Sequence, residues 1–146
     1  MVARGIKEQW VTLKTLSAIL NILNINQMEE VYKTIDVIIK AQQKARRNND
    51  YLNLLLNAEA LLERIPQLIN YATEQEGEYR KFEAKLSDEL DVNNKRNSSS
   101  YCETQAKATE FYKEWQKAKL FTELIYEMVN LAKKLAGSVD KELNAQ

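Results

Sequence analysis

From Ser100 to Leu135 the chain has no Gly or Pro, and apolar or small residues recur at alternating three- and four-residue steps. Ala108, Phe111, Trp115, Ala118, Thr122, Ile125, Val129 and Ala132 form one row. From Leu120 a second row joins, with Phe121, Leu124, Met128, Leu131 and Leu135. Such spacing keeps side chains on one face of a helix, so it predicts a single helix of about 35 residues, roughly 50 Å long. Ser100 with Glu103 fits a capping box at its start, and Gly137 fits a stop. Residues beyond Gly137 are expected to fray or to add a turn or two.

Three further segments show the same period. Trp10, Leu13, Leu16, Leu20 and Leu23, widened by Val11, Ile19 and Ile22, predict a first helix over 6–23. Asn21, Asn24 and Asn26 dilute its end and suggest a turn near 24–26. With Asn26 as cap, Met28, Val31, Tyr32, Ile35, Ile38, Ile39 and Ala45 predict a second helix ending near Arg47. After Asn48-Asn49-Asp50, the row Tyr51, Leu55, Ala58, Leu62, Ile65, Ile69 and Ala72 resumes almost in phase at Tyr79, Phe82, Leu86 and Leu90. The prediction is one long helix over 50–90, kinked or broken just before Pro66, with a break at 74–77 as the alternative.

The stretch 91–99, Asp-Val-Asn-Asn-Lys-Arg-Asn-Ser-Ser, is polar throughout and predicts an exposed, mobile loop. It separates two segments of similar length, which should fold back as an antiparallel hairpin with this loop at the tip. The expected fold is therefore all-α: a single domain, an elongated antiparallel bundle of four to five helices on a long hairpin. The bundle base would take in residues 6–72 and 118–136, and 77–117 would form a thinner extension. A compact five-helix bundle, bent at Gly77, is the alternative.

Composition narrows function mainly by exclusion. The 146 residues carry equal numbers of acidic and basic side chains and no histidine. Histidine-based triads, Cys/His dyads, HExxH zinc sites and Glu-x-x-His di-iron helices are thereby excluded. No Gly-rich phosphate loop, CxxC or GxSxG occurs. The single Cys102 excludes an intrachain disulfide. Glu59 with Glu63, and Glu110 with Glu114, stand four apart, but neighbouring lysines and arginines make solvated faces the simpler reading. No catalytic residue, cofactor or metal ligand is assigned, and the expectation is a protein without enzymatic activity.

Zero net charge argues against general affinity for nucleic acid or anionic lipid. A local exception is the basic cluster Lys40, Lys44, Arg46 and Arg47, which either complements a helix C-terminus or docks a phosphate or acidic partner. No apolar run is long enough to span a bilayer. The chain fits a cytoplasmic protein and equally an exported domain lacking its signal peptide.

What is left is contact. The expected function is protein–protein interaction or assembly, with a protein partner or further copies of the chain. The candidate contact residues are Asn94, Lys95, Arg96 and Asn97 at the tip, and Tyr112 and Trp115 on the narrow part of the long helix. By architecture alone, a subunit of a bacterial secretion, conjugation or phage apparatus is one such protein. A nucleic-acid or anionic-surface binder using residues 40–47 is the alternative.

Overall fold

The computed structural model describes the backbone of residues 2–145, and the side-chain environments of residues 15, 16, 18–138 and 144. The described residues form an all-α helical bundle of five helices: α1 (Val2–Arg47), α2 (Tyr51–Leu62), α3 (Ile65–Asp88), α4 (Ser99–Lys107) and α5 (Glu110–Ala145). Contacts divide the chain into one unit of residues 1–37 and a second of 38–146.

The first unit lies within α1, and here the expected turn at 24–26 does not form. The helix runs unbroken through Asn21, Asn24 and Asn26. Each asparagine costs an interior turn only about 0.7 kcal/mol, and no Gly or Pro forces a break. Met28, Val31, Tyr32 and Ile35 are buried, as their spacing predicts. Leu16, Ile19, Leu20, Ile22 and Leu23, also of the predicted stripe, are exposed. The environments of Trp10, Val11 and Leu13 lie outside the described residues.

The second unit is organised by the hairpin. α3 packs against α5 and α4, and α2 against α5, so Tyr51–Ala72 does lie along the second arm as predicted. The end of α1 is turned off by Asn49, whose left-handed backbone (φ 52°) takes the place glycine often fills. Asp50 N–H then donates to the Ala45 carbonyl at 2.8 Å. Asp50 also caps α2, its carboxylate accepting from the Asn53 N–H at 3.2 Å.

The break before Pro66 is real: α2 ends at Leu62, and α3 restarts at Ile65 with the proline in its first turn. Proline has no N–H to donate and its ring crowds the carbonyl four residues back, so the ladder is released at Glu63–Arg64. No break occurs at 74–77; α3 passes through Gly77.

The buried row of this arm keeps Ala58, Ile65 and Tyr79 of the predicted one and replaces the rest. Leu54, Ala58, Leu61, Ile65, Leu68, Tyr71, Gln75 and Tyr79 face the interior. Leu55, Leu62 and Ile69, expected inside, are 43%, 38% and 45% exposed. Residues 52–56 are apolar on almost every side, so two rows compete, and only one of them can meet α5.

The predicted single helix over 100–135 is also corrected. α4 and α5 are separate, divided at Ala108–Thr109. The Thr109 hydroxyl donates to the Ala106 carbonyl at 2.7 Å and accepts from the Tyr112 N–H at 3.4 Å. This local bonding competes with the helix ladder without any Gly or Pro. The cap of α4 is Ser98, not Ser100: its hydroxyl accepts from the Tyr101 N–H at 3.2 Å. Gly137 does not stop α5, which continues to Ala145.

Candidate functional site

Between α3 and α5 runs a groove of about 330 Å³. Ile69, Ala72, Thr73 and Glu76 line it from α3, at the one-face spacing of two helical turns. Trp115, Lys119, Thr122, Glu123 and Tyr126 line it from α5 in the same manner. Its walls are apolar, with Ile69 and Tyr126 both nearly half exposed, and its charges are of mixed sign.

Trp115 belongs to an aromatic cluster. Its ring centroid lies 5.5 Å from Tyr79 and 5.9 Å from Tyr112, and Tyr79 and Tyr112 are 5.3 Å apart. The Arg80 guanidinium sits over the rings of Tyr79 (5.2 Å) and Trp115 (5.6 Å), within cation–π range. Arg80 also pairs with the groove residue Glu76 at 3.7 Å. Burial pushes the Tyr79 phenol above its ordinary pKa, and a hydrogen bond with Glu83 adds to the shift. On the interior side, the Tyr71 hydroxyl donates to buried Glu114 Oε2 at 2.8 Å.

The predicted contact residues Tyr112 and Trp115 are thus brought together, half-buried, with one edge of the cluster opening on the groove. The tip residues form a separate, hydrogen-bonded turn. Asp91 Oδ1 accepts from the N–H groups of Asn93 (2.8 Å) and Lys95 (3.0 Å), and Asn94 turns the chain at φ 57°. Leu90 and Arg96 bridge across it, and the Asn97 amide donates to the Leu86 carbonyl at 2.9 Å.

The basic cluster is divided by helix geometry. Lys40, Lys44 and Arg47 follow one exposed stripe. Arg46 lines a smaller cavity of about 140 Å³ with Gln42, Leu54 and Met128 among its walls.

Several residues of these sites were hidden in the sequence pattern. Ile69 belongs to the row expected inside, and Glu114 to a pair with Glu110 expected on a solvated face. Glu114 stands one turn before Ala118 on the buried row, and that register is the signal that could have found it. Glu110 is exposed and lies 4.0 Å from Lys113, Glu114 is buried, and Glu59 and Glu63 are both exposed. Among the described residues, no three acidic or cysteine side chains gather to hold a metal, and no helix is long and apolar enough to cross a membrane.

No protein-family model, curated protein sequence or solved structure matches this chain.

Proposed function

We propose that this protein works by contact, as a non-enzymatic helical interaction or assembly protein whose docking surface is the α3–α5 groove. One observation carries the reading: the groove is lined by exposed apolar residues of both arms, Ile69 from α3 and Tyr126 from α5, with Trp115 between them half-buried. Apolar side chains that line an open groove are a common mark of an interaction site. A groove with an apolar floor and mixed-charge rims suits the apolar face of a partner helix. Trp115, braced by Tyr79 and Arg80, would be its rigid aromatic anchor. Membership of a larger assembly, such as a secretion, conjugation or phage apparatus, accords with this mode of action.

Photo-crosslinking amino acids placed at Ile69 and Tyr126, in cells of the native host, test the reading. The expected result is one shared partner at both positions, lost when Trp115→Ala is added and absent from a probe at exposed Lys81. Equal labelling at all three positions, or none at Ile69 and Tyr126, would refute the groove as the docking surface.

A further inference from the structure

Where α1 gives way to α2, three helix segments of the second unit line a cavity of about 140 Å³. α5 supplies Met128, Leu131, Ala132 and Leu135, spaced i, i+3, i+4 and i+7 and therefore on one face over two turns. α2 supplies Leu54, and the end of α1 supplies Gln42 and Arg46. The chain reversal at Asn49 brings Leu54 against Gln42, whose buried amide donates to the Leu54 carbonyl at 2.9 Å. That bond pins α1 to α2 at the cavity wall.

The lining is graded. Its floor is apolar and closed, with Leu54 at 2% and Ala132 at 1% exposure. Met128, Leu131 and Leu135 are half-buried around it. Its mouth is polar: Arg46 is exposed, and among the described lining residues it alone is charged.

Size and chemistry then select a ligand. An apolar cavity of about 150 Å³ takes up a benzene molecule, so the space here fits an apolar body of about six carbons. Leucine and methionine walls offer such a body dispersion contacts and no hydrogen bonds. A guanidinium at the mouth offers a carboxylate two parallel N–H donors. Lys44 and Arg47 stand in the same last turn of α1 as Arg46, and together the three outweigh the roughly half-unit of negative charge at a helix C-terminus. Asp50, the next acidic residue along the chain, is engaged in capping α2.

We infer that this cavity is a binding site for a small monocarboxylate with an apolar tail of about six carbons, the tail lying among Leu54, Met128, Leu131 and Leu135 and the carboxylate on Arg46. The cavity shares no lining residue with the α3–α5 groove, so the two proposals fail independently.

Methyl NMR of the full chain tests it. The chain has three methionines, and Met128 lines the cavity while buried Met28 does not. Titrated hexanoate should shift the Met128 methyl signal, assigned with Met128→Leu, and leave that of Met28 in place. Acetate, which lacks the tail, should move neither. Arg46→Gln is an exposed change that leaves the walls intact. It should raise the hexanoate dissociation constant about fivefold and leave that of hexan-1-ol unchanged. Leu135→Trp narrows the cavity from its half-buried rim and should weaken both probes together. An unmoved Met128 signal, an equal shift with acetate, hexanoate affinity unchanged by Arg46→Gln, or hexanoate binding indifferent to Leu135→Trp would overturn the proposal.

Discussion

Tyr71 and Glu114 are joined across the hairpin: the phenol of α3 donates to the carboxylate of α5 at 2.8 Å, with both residues buried. A hydrogen bond to a buried charged group is worth more than its surface equivalent, because water cannot replace a lost partner. Tyr71→Phe removes the donor and leaves the carboxylate buried. We expect a loss of about 1–3 kcal/mol of unfolding free energy in urea titration. Glu114→Leu removes the charge together with its need for a partner. The double variant Tyr71→Phe/Glu114→Leu should therefore cost clearly less than the two single changes added together. Strict additivity would show that the pair is not coupled.

Tyr79 makes the alkaline limb of stability predictable. Its phenol is raised above 10.0, first by burial and then by Glu83, so the folded protein holds this proton where the unfolded chain has released it. Its contribution is fully present below pH about 10 and is lost as pH rises through the higher folded value. Ultraviolet titration should show a late-ionising tyrosine that is missing from Tyr79→Phe. The decline of unfolding free energy above pH about 10 should be shallower in that variant. An identical decline in both proteins would count against the buried phenol.

Caps separate what the sequence discloses from what it conceals. Ser98 and Ser100 are equally good cap residues by type, and the pairing of Ser100 with Glu103 favours the wrong one. The Asn97 amide, tied to the Leu86 carbonyl, belongs to the tip structure that immediately precedes Ser98. Ser98→Ala should cost about 1 kcal/mol and Ser100→Ala close to nothing, read by thermal unfolding of both variants. The reverse ranking would restore the capping box.

The same division runs through the whole chain. Helical class, the hairpin, its tip and the Pro66 break were legible because each follows from a local period or a steric rule. The choice between the rows of Leu54 and Leu55 was not, since it depends on which face meets α5. The fate of Leu16–Leu23 was not legible either: an apolar period announces a face for burial without saying what covers it. Within the candidate groove, Trp115 is half-buried on the narrow part of its stripe, where the spacing alone leaves room for only one or two neighbours. Ile69 and Arg80 were missed, because their roles depend on contacts between distant segments.

Gln42 offers the converse of the Tyr71 pair. It is buried at 4% exposure, and its amide donates to the Leu54 carbonyl at 2.9 Å. Its own Oε1 accepts from no protein donor among the described residues. The Leu54 carbonyl lies inside α2 and keeps its ladder bond when the amide is gone. Gln42→Met preserves the side chain's length and volume while removing both polar atoms. We expect it to leave stability within about 0.5 kcal/mol of the parent or to raise it, whereas most buried substitutions cost more. A loss above about 2 kcal/mol would show that the Gln42–Leu54 bond is needed to hold the end of α1 against α2.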